Sequence, residues 1–137
     1  MGNVTPIDEE YFYEGSVIIS QTDLNGVITF INRKFCEVSG YSKDEVLGLK
    51  TNIFAHPQMP KAVFKKMWEN LKGGQTWNGI VKNLRKDGKY YWINLEILPI
   101  RDKNDNVTGY ISVAKHAAEK NIKESEELYK KMLSSEV

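Results

Sequence analysis

The chain has 137 residues, of which 41% are hydrophobic, with 19 Lys and Arg against 18 Asp and Glu. This length fits one domain with one core, and the balanced charge argues against a nucleic-acid-binding protein or a polybasic membrane patch. Cys36 is the single cysteine, which excludes an intrachain disulfide, and no Cys/His cluster suggests a structural zinc site. The sequence has no signal-peptide pattern and no apolar run of roughly 18 residues, so we expect a cytoplasmic segment without membrane contact.

The first third of the chain predicts an arm and a hairpin. Residues 1–15 are polar, acidic and aromatic, and we interpret them as a short arm or cap, with a helix as one option. Two β-rich runs follow at residues 16–22 and 27–32. The turn D-L-N-G between them contains Asn-Gly, which favours positive φ, so these runs predict a β-hairpin.

Several short helices are predicted next. Helical spacing covers Arg33–Ser39, and Ser42 with Glu45 forms a capping box for a helix over Lys43–Leu47. The segment 51–60 contains two prolines and is predicted to be irregular. A longer helix is predicted over Pro60–Lys72, with an apolar stripe made by Val63, Phe64, Met67, Trp68 and Leu71.

Three further β-rich runs complete the domain, at Trp77–Leu84, Lys89–Ile100 and Val107–His116. Consecutive hairpins at both ends of the domain predict an antiparallel sheet with the helices gathered on one face. The fold class is therefore α+β, with five strands. On the long central run, Tyr91, Ile93, Leu95 and Ile97 alternate with more polar residues and are predicted to face the interior, which leaves Trp92 as an exposed aromatic on the other face. We expect the arm or a second subunit to cover it.

Residues 117–137 are rich in Glu and Lys and contain no Gly or Pro. A weak heptad relates Ala118, Ser125 and Met132, and also Ile122 and Tyr129. Two interpretations stay open: a solvated terminal helix, and the start of a coiled-coil linker that carries a signal to an output domain.

The order of elements resembles the PAS fold over residues 16–116. The first matching stretch is T-D-L-N-G-V-I-T-F-I-N at 22–32, continued by Phe35, S-G-Y-S at 39–42 and E-V-L-G at 45–48. The second is N-I at 52–53, H-P-Q-M-P at 56–60, M-W at 67–68, W-N-G-I-V-K-N at 77–83, R-K-D-G at 85–88 and Y-W at 91–92. This series is similar to the PAS domains of bacterial aerotaxis receptors, which hold FAD non-covalently. The resemblance implies a non-enzymatic sensor that is a homodimer and relays redox or oxygen state to a chemotaxis-type signalling partner.

The sequence departs from that subfamily at two positions. The resemblance leads us to expect Arg before the His-Pro pair and Asp after it, whereas this chain has Ala55 and Gln58. Two charged residues near the expected ligand edge are therefore missing.

A flavin site needs apolar walls and a few polar groups, and this requirement selects the candidate residues. Asn83 is the first candidate, because it lies on the same strand face as Val81 and its amide both donates and accepts hydrogen bonds. The other cofactor-binding candidates are Trp68, His56, Trp77, Phe64 and Ile93. Three of the candidates have a structural alternative: Trp68 as part of the helical core stripe, His56 as a loop cap, and Asn83 as an outward residue near a turn.

Other mechanisms have less support in the sequence. A cysteinyl–flavin adduct needs a cysteine within residues 48–60, where there is none, and the light sensors place Asn and Gln where Ile93 and Ala114 stand here. The common catalytic motifs are absent, so we predict no enzyme activity. Two alternatives to the flavin sensor stay open: a cofactor-free PAS dimerisation module, and a sensor of haem or a small molecule that uses His56 or His116.

Overall fold

The computed structural model describes residues 4–136. Its five strands form one antiparallel sheet in the order β2-β1-β5-β4-β3. The strands are β1 (Ile18–Thr22), β2 (Ile28–Ile31), β3 (Trp77–Leu84), β4 (Tyr90–Arg101) and β5 (Val107–His116). The helices are α1 (Arg33–Ser39), α2 (Lys43–Val46), α3 (Lys61–Lys72) and α4 (Glu119–Ser135), with a 3-10 turn at Thr51–Phe54. The predicted α+β class, the five-stranded antiparallel sheet and both terminal hairpins are confirmed.

Local capping chemistry sets the helix starts. Ser42 Oγ accepts from the Glu45 N–H at 3.3 Å while Glu45 accepts from the Ser42 N–H at 3.0 Å, which confirms the predicted capping box. Asn32 caps α1 by accepting from the Phe35 N–H at 3.0 Å. Helix α3 begins one residue later than predicted, because Pro60 occupies the N-cap position. Because the proline side chain has no hydrogen-bond acceptor, Pro60 does not cap the first turn of α3.

The connection between α2 and α3 reaches both edges of the sheet. At one edge the Ile28 N–H donates to Leu49 O at 2.9 Å, so residues 48–50 lie beside β2. At the other edge the His56 N–H donates to Lys82 O at 3.0 Å, and Ala55 forms a bridge with Asn83 of β3. We call residues 48–56 the strap. The sequence predicted an irregular segment here, and the 3-10 turn at Thr51–Phe54 corrects that prediction over four residues.

The N-terminal arm contains no helix between residues 4 and 14, so the helical option was wrong for this part of the arm. The pairing of β5 with β4 ends at His116, opposite Ile93. Beyond that point the arm lies beside β4, where the Tyr11 N–H donates to Tyr90 O at 2.7 Å and the Tyr90 N–H donates to Glu9 O at 3.0 Å. These hydrogen bonds give the backbone of β4 a second partner where β5 has left it, which explains why this part of the arm lies alongside the strand.

The outer face of the sheet is covered by α4. Ile122 and Tyr129 of this helix are buried, and the Tyr129 hydroxyl donates to Ile80 O of β3. Trp92 was predicted to face outward under the arm or a second subunit; it does lie on the outer face, but α4 covers it beside Tyr129, and only 3% of it is accessible. The arm contributes as well, since the Tyr13 hydroxyl donates to Trp92 O at 3.1 Å. The weak heptad residues Ile122 and Tyr129 therefore pack against this domain's own sheet, and a coiled-coil role for α4 stays a prediction.

Candidate functional site

A cavity of about 480 Å³ lies between the inner face of the sheet, the strap and α3. This volume is within the range of small-molecule and cofactor sites. Four strands of the sheet supply the floor, through every second residue, because alternate side chains of a strand point to the same face. These floor residues are Ile18, Ser20, Thr22, Val81, Asn83, Tyr91, Ile93, Leu95, Ile97, Tyr110, Ser112 and Ala114. The predicted inward face of β4 is confirmed.

The lining of the cavity combines buried apolar residues with solvent-exposed polar residues. Val81, Tyr91, Ile93 and Ala114 are all less than 6% exposed and form an apolar floor. The exposed residues of the lining are Asn25, Lys50, Asn52 and Lys61, which come from the β1–β2 turn, the strap and the first turn of α3. At these four residues the lining meets solvent.

Asn83 lies on the cavity face of β3, as its spacing to Val81 predicted. It is paired with Tyr91 of β4 in the sheet register. Burial raises the pKa of Tyr91, and the neighbouring Asn83 side chain opposes that rise only in part. The Tyr91 phenol is therefore neutral at physiological pH. The Asn83 amide beside it can both donate and accept hydrogen bonds, so it is the polar group of this wall that can adapt to a ligand.

Helix α3 provides the opposite wall through Phe64 and Trp68, both of which line the cavity. Trp68 makes an edge-to-face contact with Tyr110, with 5.7 Å between the ring centroids. It also lies over the β1–β2 turn, where a β carbon on Gly26 would be 3.1 Å from the indole. Because Gly26 has φ +81°, this turn combines a left-handed backbone with close approach of the ring, and both favour glycine.

Two of the candidate residues do not line the cavity. His56 caps the strap: its Nδ1 accepts from the Gln58 N–H at 3.0 Å, and burial together with the nearby Lys82 charge lowers its pKa to about 4. Trp77 is buried at the end of β3, where its ring covers Gly79. The structure therefore brings Asn83, Trp68, Phe64 and Ile93 together and leaves His56 and Trp77 outside the lining.

The two departures from the subfamily pattern lie in different surroundings. Ala55 lines the cavity. Gln58 lies outside it, and its Oε1 accepts from Lys82 Nζ at 2.7 Å. Lys82 is only 8% exposed, and this burial lowers the pKa of its ammonium group. Its Nζ lies 4.3 Å from the centroid of the Tyr90 ring. Residue 58 therefore contacts the outer face of the sheet and not the cavity.

Sequence reasoning missed several polar groups of the cavity. Ser20, Thr22 and Ser112 place hydroxyl groups on the floor, and Ser20 lies opposite Ser112 in the β1–β5 register. The period-2 pattern of β1 could have revealed these hydroxyl groups. It places Ser20 and Thr22 on the same buried face as Ile18. Lys50 and Lys61 also line the cavity, but neither gave a local signal in the sequence, since each resembles an ordinary surface charge.

Other features bear on the alternatives. Cys36 is half-buried on α1 and is not part of the lining, while Ile93 and Ala114 present apolar side chains to the cavity. Across residues 4–136 there is no group of three or more His, Cys, Asp or Glu side chains that could hold a metal ion. Within the same part of the chain, no helix has the length and apolar character required to cross a bilayer.

Comparisons with known proteins agree with this architecture. The family model described as "PAS fold" matches residues 28–114. The aerotaxis receptor of Escherichia coli K12 is 41% identical over 117 residues, which cover 85% of this chain and 23% of that protein. The nitrogen fixation regulatory protein of Klebsiella pneumoniae is 31% identical over 100 residues, which cover 73% of this chain and 20% of that protein.

A solved light-oxygen-voltage domain, studied with a flavin analogue, aligns with a TM-score of 0.68 and 25% identity. The alignment covers 88% of this chain and 87% of that one. In contrast, the chain spans less than a quarter of the length of the two curated relatives, at 23% and 20%.

Proposed function

The chain belongs to the PAS family, and from this premise we propose that it is a sensory module that binds FAD non-covalently in the cavity between its sheet and α3. The proposed signal is the redox or oxygen state, and the proposed receiver is a chemotaxis-type signalling domain or protein. The similarity to an aerotaxis receptor and to a domain studied with a flavin analogue supports this proposal.

The observation that carries the proposal is the composition of the cavity. A flavin ring is flat and largely apolar, with polar atoms along one edge. Here the apolar residues Ile93 and Leu95 on the floor face the aromatic wall of Phe64 and Trp68, and the Asn83 amide offers both hydrogen-bond types. The residues present therefore fit such a ring. When bound, FAD would supply the electron-accepting chemistry, and the protein would tune it through these contacts.

The connections of α4 support a route from the cavity to the C-terminal helix. Its Tyr129 hydroxyl donates to Ile80 O, next to the cavity residue Val81. At its end, the Glu136 carboxylate accepts from the N–H groups of Lys61 and Ala62, each at 3.3 Å. Since Lys61 lines the cavity, α4 is held by two elements that form the cavity. A ligand-dependent shift of either element would change the free energy of docking α4.

The proposal is tested by the absorbance spectrum of the freshly purified protein, followed by identification of the released chromophore. We expect the visible bands of oxidised flavin and release of FAD. The variant Asn83→Leu should lose most of the flavin while its circular dichroism spectrum is unchanged. Asn78→Leu is the matched control, because residue 78 is exposed on the same strand and does not line the cavity.

Full retention of FAD by Asn83→Leu would contradict the assigned site. A colourless protein that is folded and does not take up added FAD would contradict the flavin proposal. It would favour the cofactor-free dimerisation module, for which the exposed Phe12 (70%) and Leu128 (54%) offer apolar contact surface. Dimerisation itself is checked by sedimentation equilibrium in either case.

A further inference from the structure

A carboxyl and an imidazole meet on the outer face of the domain, between the arm and the end of β5. Glu10 lies in the part of the arm that bridges to β4, and His116 is the last residue of β5, directly before the connection to α4. Their facing atoms, Glu10 Oε2 and His116 Nε2, are 4.0 Å apart. We infer that this pair is a proton-binding site that links the arm to α4, and that the docking of both weakens as the pH rises. The inference goes beyond the sensing of a ligand, because neither residue lines the cavity.

The surroundings of the two facing atoms favour a shared proton. Both atoms are buried and have no hydrogen-bond partner within residues 4–136, although the Glu10 and His116 side chains are 19% and 32% exposed. A buried polar atom without a partner costs free energy, and the gap is only about 1 Å longer than a hydrogen bond. The rings of Phe12 and Tyr13 lie beside the imidazole, with centroid distances of 6.4 Å and 5.3 Å. A proton held between the two atoms satisfies both of them after a small rotation of either side chain.

The charges near the pair also favour its protonated form. With the proton, an imidazolium faces a carboxylate and the pair has no net charge. When the proton leaves to solvent, a carboxylate is left beside a neutral imidazole. Burial, followed by the negative charge of Glu119, raises the pKa of Glu10, and the opposing effects of His116 and Lys82 do not cancel this rise. The titratable groups around the pair and the adjacent Lys82 are Asp8, Tyr13, Tyr90, Glu119, Glu126 and Lys130.

Both ionisations change the docking in the same direction. Because the pKa of Glu10 is raised in the folded protein, its contribution to stability is present below pH 4.5 and is lost as the pH rises through the raised value. An imidazole changes charge between about pH 5 and pH 8, and loss of its positive charge removes the attraction to the carboxylate. At higher pH the arm therefore carries a carboxylate that His116 no longer neutralises, close to the acidic side chains of α4.

The position of the pair connects this charge to both elements. Glu10 directly precedes Tyr11, whose N–H donates to Tyr90 O at 2.7 Å, so a charge at residue 10 acts within the bonded part of the arm. On the other side, Ala117 follows His116 and has no exposed surface. Only two residues separate His116 from α4. A displacement of the imidazole is therefore transmitted to the first turn of that helix.

The test is amide hydrogen exchange of the full chain, measured by NMR from pH 6 to pH 8.5. Each rate is divided by the intrinsic exchange rate at the same pH, which gives a protection factor. We expect the protection of the Tyr11 amide, in the arm, and of the Ile122 amide, in the first turn of α4, to fall as the pH rises. The expected decrease is about three- to tenfold, as for a partly buried ion pair.

Two substitutions and two controls assign the response. Glu10→Gln and His116→Gln should each remove the pH dependence, and the double variant should have no further effect, because the two residues act as one unit. Glu9→Gln is the matched control, since the neighbouring carboxylate pairs with Lys89 at 2.7 Å and should leave the pH dependence intact. His56→Asn should also retain it, because burial lowers the pKa of His56 to about 4, below the range measured.

Three outcomes would overturn the inference. The first is protection of Tyr11 and Ile122 that does not change with pH in the unsubstituted protein. The second is an equal pH response in the Glu10→Gln or His116→Gln variant. The third is a response at Tyr11 with none at Ile122, which would refute the link to α4. None of these results depends on whether a flavin binds, so the inference and the proposed function can fail separately.

Discussion

The indole of Trp77 lies over Gly79, two residues along the same strand. A β carbon on residue 79 would be 2.4 Å from a carbon of that ring, well inside van der Waals contact. The missing side chain of Gly79 therefore makes the space in which Trp77 is buried, with only 9% of its surface exposed. This packing fills the end of the sheet beyond the cavity and keeps the indole out of the cavity lining.

Replacing Gly79 by Ala is expected to destabilise the protein by about 1–3 kcal/mol, because the added methyl group displaces the indole and overpacks this end of the core. Chemical denaturation followed by tryptophan fluorescence measures the change. Gly73→Ala is the control, since a β carbon at residue 73 would be 3.5 Å from its nearest neighbour and should change stability by less than about 0.5 kcal/mol. Equal effects of the two substitutions would contradict the packing argument.

His56 should make stability depend on pH. Its pKa is lowered from the ordinary 6.5 to about 4, so the unfolded chain takes up a proton between these values while the folded protein does not. The stabilisation is therefore complete above pH 6.5 and is lost as the pH falls towards 4, by up to about 3 kcal/mol.

The substitution His56→Asn isolates this effect, because the Asn oxygen can still accept from the Gln58 N–H but does not titrate. Denaturation midpoints of both proteins are measured from pH 7.5 to pH 4. We expect the two stability curves to converge as the pH falls, since only the unsubstituted protein loses the His56 contribution. A constant difference across that range would show that His56 does not titrate between the folded and unfolded states.

Tyr129 anchors α4 to the sheet. Tyr129→Phe removes its hydrogen bond to Ile80 O and leaves that half-buried carbonyl without this partner, so we expect a loss of about 0.5–1.5 kcal/mol. Hydrogen exchange along α4 should accelerate more than exchange in β4. Leu128→Ala, on the exposed side of the same helix, should leave exchange nearly unchanged. Uniform acceleration across the whole domain would indicate global destabilisation and contradict a local anchor.

Glu136 replaces the side-chain cap that Pro60 does not give to α3. Glu136→Gln keeps an acceptor but removes the negative charge next to the helix N-terminus, at an expected loss of about 0.3–1 kcal/mol. Amide exchange of Lys61 and Ala62 measures the loosening of the first turn. Glu127→Gln, which removes an exposed charge from the middle of α4, should leave these two amides unchanged.

Features set by local chemistry were predicted well from the sequence. The turn D-L-N-G, the Ser42–Glu45 capping box and the period-2 alternation of β4 each act within a few residues, so the hairpin, α2 and the inner face of the sheet followed directly. The position of Asn83 on the cavity wall followed from the same alternation.

Features that depend on contacts between distant parts of the chain were not predictable in this way. Trp92 is buried because α4, about 40 residues further along, folds back over it. His56 was a ligand candidate because of its motif, yet its Nδ1 is used by the adjacent Gln58 N–H. Lys50 and Lys61 are 11 residues apart, and both line the cavity only because the strap and α3 enclose it. Spacing rules describe a single strand or helix and carry no information about such docking.

The strap also has a consequence for the behaviour of the protein in concentrated solution. A sheet edge with free N–H and C=O groups can pair with the edge of another molecule and start aggregation. Residues 48–50 shield one edge beside β2, and residues 55–56 shield the other beside β3. The same nine-residue segment forms part of the cavity wall. Any loosening of that wall would therefore unmask both edges at once, and self-association would follow from an event that begins inside the binding site.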